Sequence, residues 1–236
     1  MIADAIVMAA GQGRRLLPLT ERWAKPVLPI DGRPIVATLL RELAAAGVER
    51  VTVVVGHLRE QVERLLGEPG AFPLGVRFVE QPQPLGSADA VRRALEAGAR
   101  VPTLVAAADT VFTPGDVATF AAAFAGSDAA GAIAVRRDPP PEPPRRYGTR
   151  VRDGLVTRVL DDDPATPTSG APLWALRAPL VPLLALDRPP HELARAFERA
   201  LAEGSTLLGV EIRRTRDLTR PLDLIEENVP YLRDLQ

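Results

Sequence analysis

The run Asp4 to Ala10 (DAIVMAA) is short, unbroken and apolar, and it ends at Gly11. That pattern predicts a strand buried on both faces. From Pro34 the period becomes that of a helix: Ile35, Leu39, Leu40 and Leu43 share one face through Ala46, and Gly47 supplies the stop. Arg50 to Val55 (RVTVVV) predicts a second strand, and Leu58, Val62, Leu65 and Leu66 predict a helix over His57–Leu66. The alternation continues with a strand at Val76–Glu80 and a helix at Ser87–Ala97 ended by Gly98. A strand at Thr103–Ala108 ended by Asp109, a helix at Pro114–Phe124 and a strand-like run at Ala129–Arg136 follow. Apolar strands alternating with helices predict an open, mostly parallel α/β sheet covered by helices on both faces.

Beyond residue 137 the pattern changes. Asp138 to Pro144 (DPPPEPP) cannot join a ladder and predicts a surface loop. Thr149–Val151 and Leu155–Val159 flank Asp153-Gly154, a hairpin signal. An apolar stretch at Gly170–Leu176, a Leu-rich helical region from Leu180 to Ala202, a strand at Gly209–Ile212 and a closing helix at Leu222–Leu235 complete the reading. The expectation is a smaller antiparallel, substrate-shaping lobe over residues 138–236, packed on residues 1–137.

Composition narrows the chemistry. The 236 residues are 46% hydrophobic and 25% charged, ordinary for a globular protein. The chain has no cysteine, which excludes disulfides, thiolate metal sites, iron–sulfur clusters and a cysteine nucleophile. A net charge of -1 provides no global field toward nucleic acid. No apolar run reaches the roughly 18 residues of a membrane span, and MIADAIVMAA lacks a basic leader segment. A cytoplasmic protein with no nucleic-acid or membrane partner is expected. All 29 cationic side chains are arginine except Lys25. A position that keeps an ammonium in such a chain is a candidate for a role a planar guanidinium cannot fill.

Open α/β sheets bind ligands at the carboxyl ends of their strands. Three motifs fall at such ends: Gly11-Gln12-Gly13-Arg14-Arg15, Gln81 to Ser87, and Asp109. Glycines let backbone N–H groups approach phosphates, and arginines neutralise them. The first motif is not a P-loop, since no Gly-Lys-Ser/Thr follows, and Leu16 stands where a dinucleotide fingerprint has its third glycine. Asp31, about 20 residues on, keeps a dinucleotide site open. A plain turn is the other reading of this glycine pair.

Residues 8–34 read MAAGQGRRLLPLTERWAKPVLPIDGRP. This string resembles the signature of the sugar-phosphate nucleotidyltransferases, roughly L-A-A-G-x-G-x-R-L-x-P-L-T, then P-K-P and G-x-P. Ala9, Ala10, Gly11, Gly13, Arg15, Leu16, Pro18, Leu19, Thr20, Lys25, Pro26, Gly32 and Pro34 match in order. Gln81-x4-Gly86-Ser87-Ala88 is similar to the family's Q-x4-G-T-A, and Asp109 to its G-D, with Ala108 in place of the glycine. Tyr147-Gly148 is similar to its Y-G, Ser169-Gly170 to its N/S/T-G, and Asp217 to Asn228 to its closing D-x-G-T-P-x-D-L-x-x-A-N.

The resemblance implies a Rossmann-like fold of the nucleotide-diphospho-sugar transferase type, as one domain over residues 1–236. It implies a nucleoside triphosphate and a phosphorylated small acceptor as substrates, with Mg²⁺ held by Asp109 and Asp217. Arg15 then meets the departing β- and γ-phosphates, and Lys25 the α-phosphate and acceptor phosphate. Ala9, Ala10, Gly11, Gly13, Gln81, Gly86 and Ser87 line the nucleotide, and Gln81 favours a pyrimidine. Gly148, Asp162 and Ser169 border the acceptor. The expected reaction joins a nucleotide to a sugar 1-phosphate with release of pyrophosphate; no carboxy-terminal β-helix follows, so no second acyltransferase activity is expected. One departure stands out: where the family often has E-K-P, this chain has Asp162-Asp163-Pro164, an acid in place of a phosphate-holding lysine. A cytidylyltransferase for an alcohol phosphate of the choline or inositol type is therefore the alternative. An idle nucleotide-binding regulator and a dinucleotide-binding oxidoreductase are the readings from other classes. A homo-oligomer stays open.

Overall fold

The computed structural model describes residues 1–68, 70–137 and 148–229. In chain order the elements are β1 (Asp4–Ala9), three 3-10 turns (Arg14–Leu16, Leu19–Glu21, Lys25–Val27), β2 (Pro29–Ile30), β3 (Arg33–Pro34) and α1 (Ile35–Ala45). Next come β4 (Arg50–Val55), α2 (Arg59–Leu66), β5 (Gly75–Glu80), α3 (Ser87–Glu96), β6 (Thr103–Ala107), β7 (Thr110–Val111) and α4 (Asp116–Ala125). The second part holds β8 (Gly131–Arg137), β9 (Gly148–Arg152), β10 (Leu155–Asp161), β11 (Thr168–Leu176), α5 (Leu193–Ala202), β12 (Leu207–Glu211), β13 (Arg216–Asp217) and α6 (Asp223–Glu226).

Alternation along the central strands builds two cores from one sheet, because successive side chains point to opposite faces. Ala5 and Val7, Val53 and Val55, and Leu104 and Ala106 pack with α1, α2 and α4. Ile6, Val54 and Val105 pack with α3 and α5 on the other face. Phe120 and Phe124 anchor the first core and Phe197 the second, each fully buried. A side chain of that kind stabilises by about 1.5–3 kcal/mol relative to exposure.

The sheet has nine strands in the order β5-β4-β1-β6-β11-β8-β12-β10-β9. The first four are mutually parallel, as the βαβ alternation predicts. β11 then runs antiparallel to β6 and β8, and β10 and β9 close the far edge as an antiparallel hairpin. The antiparallel strands continue the same sheet. Asp153 and Gly154, with φ of 50° and 77°, make the tight turn their sequence predicts. Thr168 and Ser169 at the start of β11 lie at the edge where the parallel strands end.

Two predicted helices differ. Leu180–Ala202 is not continuous: 3-10 turns occupy Ala178–Leu180 and Pro182–Leu184, and the helix starts only at Leu193. Pro182, Pro189 and Pro190 remove backbone donors and clash with the preceding turn, and they break the Leu-rich pattern. The closing helix is described over Asp223–Glu226; its remainder from residue 230, the loop Asp138 to Pro144 and Tyr147 lie outside the described residues.

Candidate active site

Where β1, β4, β5 and β6 end, a cavity of about 430 Å³ opens. Ala10, Gly11, Gly13, Arg15, Lys25, Gln81, Gly86, Ser87 and Asp109 all line it. Ala9, the last residue of β1, is instead buried in the core with α1.

The loop from Gly11 to Lys25 is shaped locally. Gly13 adopts φ of 61°, the left-handed region that favours glycine, and its carbonyl accepts from the Leu16 N–H (2.8 Å) and the Thr20 hydroxyl (3.0 Å). Successive 3-10 turns then bring the chain back over β1. The helix α2 pins it from outside: Gln61 Oε1 accepts from the Ala24 N–H (2.8 Å), and Gln61 Nε2 donates to Arg22 O (2.7 Å). His57 Nε2 donates to Thr20 O at 2.8 Å, a structural use of this histidine. Beneath the loop Leu16, Leu28, Ile30, Ile35 and Leu218 form a small apolar cluster.

These constraints carry Lys25 inward. It is 9% exposed, and its Nζ meets Asp109 Oδ2 at 2.5 Å. Asp109 stands at the turn between β6 and β7. Arg14 and Arg15 both reach the cavity from the exposed side; Arg14 Nε donates to Gln12 Oε1 at 2.8 Å. This group of Gly11, Gly13, two guanidiniums and an ammonium is built to surround negative charge.

The second group comes from the other face of the sheet, through α3 and α5. Gln81, 6% exposed, donates through Nε2 to Gly86 O (3.0 Å) and to Asp89 Oδ2 (2.9 Å). Asp89 also accepts from Arg92 Nη2 (2.8 Å) and Arg93 Nε (2.7 Å). Burial pushes its carboxyl up, but the hydrogen bonds from Gln81, Arg93 and Arg92 outweigh it and hold the pKa below the ordinary value. Ser87 uses its hydroxyl twice at the α3–α5 junction, donating to Glu192 Oε2 (2.6 Å) and accepting from the Leu193 N–H (2.7 Å).

Gly86 holds that junction closed. Its φ is 119°, and a Cβ there would fall 2.5 Å from the His191 carbonyl oxygen. Gly86→Ala is therefore expected to cost about 2–3 kcal/mol of folding stability. Chemical denaturation would read the change, and a loss below about 0.5 kcal/mol would contradict the close approach.

Asp217 lies on β13, paired to β7 opposite Thr110, the residue after Asp109. Its neighbours Leu218 and Thr219 line the cavity, whereas Asp217 itself is set back from the lining. Arg216 braces this strand. It binds both Asp31 oxygens on the β2–β3 turn (2.5 and 2.9 Å) and Glu227 (2.7 Å), and the Asp31 hydrogen bond raises the guanidinium pKa above its usual value. Asp31 is thereby occupied, not offered to a ribose. Magnesium is held by one or two carboxylates, with phosphates and water completing its shell. Among the described residues no cluster of three or more His, Cys, Asp or Glu gathers to cage a metal. Asp109 in the cavity and Asp217 on the adjacent strand are carboxylates of the kind such an ion takes.

The residues expected to border an acceptor are brought together, but outside this cavity. Gly148 pairs across β9 with Asp161 on β10 and with Ser169 on β11. Asp162 is exposed beside them. Ser169 is 3% exposed, and its hydroxyl has no hydrogen-bond partner among the described residues. Asp163, the acid in the lysine position, binds Arg150 Nη2 at 2.9 Å, while Asp161 takes Arg150 Nε at 2.8 Å. The charge reversal is thus neutralised within the sheet edge.

Three residues at the site escape sequence reading. Asp89 reads only as a polar helix position. Glu192 falls inside the helix expected over Leu180–Ala202, although Pro189-Pro190 was a signal that a helix starts after it. Thr219 departs from the glycine of the closing motif and has no chemistry of its own to attract notice.

The nucleotidyl transferase family profile matches residues 4–167 of this chain. CMP-5'-(3-aminopropyl)phosphonate synthase of Streptomyces rubellomurinus is 37% identical over 166 residues, which are 67% of this chain and 24% of that protein. Glucose-1-phosphate thymidylyltransferase of Streptomyces antibioticus is 38% identical over 87 residues, 37% of this chain and 24% of that protein. The matches therefore span about a quarter of the length of these curated relatives. UDP-glucose pyrophosphorylase from Acinetobacter baumanii shares the fold, with a TM-score of 0.81 and 22% identity over 96% of this chain and 92% of that one. With the profile covering the first strands, the glycine loop, Lys25, Gln81 and Asp109, the chain belongs to the nucleotidyl transferase family.

Proposed function

We propose that this protein transfers a nucleotidyl group from a pyrimidine nucleoside triphosphate to a sugar 1-phosphate, releasing pyrophosphate. The observation that carries the reading is the Lys25–Asp109 pair at 2.5 Å inside a cavity ringed by Gly11, Gly13, Arg14 and Arg15. A phosphomonoester carries about −1.5 to −2 charges at pH 7 and is already a nucleophile. No histidine or serine base is needed, and none lines the phosphate end. The obstacle is the approach of one polyanion to another, so neutralisation and in-line positioning do the catalysis.

In this scheme the backbone at Gly11 and Gly13 admits the phosphates closely. Arg14 and Arg15 hold the β- and γ-phosphates that depart. Lys25 neutralises the α-phosphate and the incoming acceptor oxygen. The acceptor oxygen forms its bond to the α-phosphorus as the bond to the bridging oxygen breaks, and the electron pair leaves with pyrophosphate. Asp109 and Asp217 would hold Mg²⁺, which supplies Lewis-acid charge neutralisation of the phosphate oxygens when bound. Gly148, Asp162 and Ser169 border the acceptor.

A second reading changes the acceptor. Asp163 is committed to Arg150, no lysine takes its place, and Asp162 stays exposed. These features favour a phosphorylated or phosphonylated alcohol or amine with a cationic or polyol end, coupled to CTP. The relative from Streptomyces rubellomurinus carries such a chemistry in its name. A matrix of nucleoside triphosphates against sugar 1-phosphates, choline phosphate, inositol phosphate and aminoalkylphosphonates, read by pyrophosphate release, separates the two. Turnover with hexose 1-phosphates supports the first reading; turnover confined to the other acceptors supports the second. No release across the panel would leave only a nucleotide-binding role.

A further inference from the structure

Strand β10 is longer than the stretch of β9 it pairs with. The register runs Val156 to Val151, Arg158 to Arg150 and Asp161 to Gly148, so an extra residue enters before Arg158 and another before Asp161. Each insertion is a bulge, which interrupts the ladder and re-aims the side chains beyond it. Val159 and Leu160, inside the second bulge, pair with no residue of β9 or β12. Their amides go instead to a helix. Glu198 on α5 reaches β10, and its Oε2 accepts from the Val159 N–H at 2.7 Å and the Leu160 N–H at 3.3 Å. From the other side, the Thr149 hydroxyl donates to Val159 O at 3.2 Å.

The bulge decides which residue faces the row that Gly148 and Ser169 form by pairing. Side chains alternate along a strand, so a slip of one residue would set Leu160 opposite Gly148 and turn Asp161 to the other face. With the bulge held, Asp161 stands there, bonded to Arg150 Nε (2.8 Å) and the Thr166 hydroxyl (2.5 Å). Asp161 Oδ1 also accepts from the Asp163 N–H at 3.3 Å, which fixes the turn that carries Asp162 outward. We propose that Glu198 is a positioning residue for the acceptor: by holding this bulge from α5, it sets the register that places Asp162 beside Gly148 and Ser169. The inference rests on the reading above that these three residues border the acceptor. The nucleotide end of α5 has ties of its own. Ser87 donates to Glu192 and accepts from the Leu193 N–H there. Loss of Glu198 should therefore be felt by the acceptor and not by the nucleotide.

The test is steady-state pyrophosphate release by the full chain, with CTP or UTP, whichever wild type uses. The acceptor is the one wild type turns over fastest among glucose 1-phosphate, choline phosphate, inositol phosphate and 2-aminoethylphosphonate. Glu198→Ala is expected to raise KM for the acceptor about tenfold, with kcat and the nucleotide KM within about threefold of wild type. Glu198→Gln keeps an oxygen where both amides need one, so its acceptor KM should stay within about threefold of wild type. Melting curves accompany each variant. Should Glu198→Ala not fold, Glu198→Asp, whose reach is one methylene shorter, replaces it under the same criteria. An unchanged acceptor KM in Glu198→Ala, an equal rise in both KM values, or a Glu198→Gln enzyme as impaired as Glu198→Ala would overturn the proposal and leave the reaction standing. Absence of pyrophosphate release by wild type with every acceptor would overturn both.

Discussion

Lys25→Ala is expected to lower kcat/KM for the proposed nucleotidyl transfer by about a thousandfold, the scale on which losing one preorganised group at developing charge is felt. Lys25 is 9% exposed, and its ammonium is directed at Asp109 by a loop held through Gly13, Thr20 and Gln61. Nothing else in the cavity can take over: Arg14 and Arg15 reach it from the exposed side. Lys25→Arg should recover little of the loss, since a planar guanidinium does not fit the narrow approach to one carboxylate oxygen. That variant is the sharper one, because the chain uses arginine for every other cation. Pyrophosphate release at saturating nucleotide, with a melting curve to establish folding, measures both. A Lys25→Arg enzyme within about fivefold of wild type would remove the special status of this position.

Asp109→Asn is expected to cost about 10²- to 10³-fold in the same assay and to raise the Mg²⁺ concentration needed for half-maximal rate. Asparagine preserves shape but weakens both the partner of Lys25 and the proposed ligand for the ion. Folding should suffer less than activity. Breaking a fully buried ion pair costs about 3–5 kcal/mol, but the Asp109 side chain keeps 35% of its surface and water can reach the pair. The double variant Lys25→Ala/Asp109→Asn should be little worse than either single one, because the two act as a unit. Full additivity of the losses would mean that the contact at 2.5 Å has no part in turnover.

The same pair illustrates how far a linear reading reaches. Lys25 could be singled out by composition and by its place in the glycine-loop string, and Asp109 by its place after a strand. That they touch follows from the βαβ alternation, since parallel strands end on one edge. The residues proposed to border the acceptor show the limit. Gly148 and Ser169 meet, with Asp162 one residue beyond the end of β10, through pairings of β9 with β10 and β11, and the register of an antiparallel sheet is a long-range choice that no local window contains. The reversed charge at Asp163 looked like a statement about the acceptor, yet Arg150, thirteen residues earlier on a neighbouring strand, absorbs it.

Hydrophobic period and glycine or proline punctuation were enough to place the parallel half of the sheet, its helices and the edge where the cavity opens, because those signals act over a few residues. Where Pro182 and Pro189-Pro190 competed with a Leu-rich pattern, the local breaker won. Folding in three dimensions settled the rest: that the antiparallel strands extend one sheet, that Ser87 caps α5, and that Asp89 dictates the face of Gln81. A side chain's hydrogen-bonding capacity is written in its chemistry, but which of its atoms remain available depends on partners that only packing brings within 3 Å.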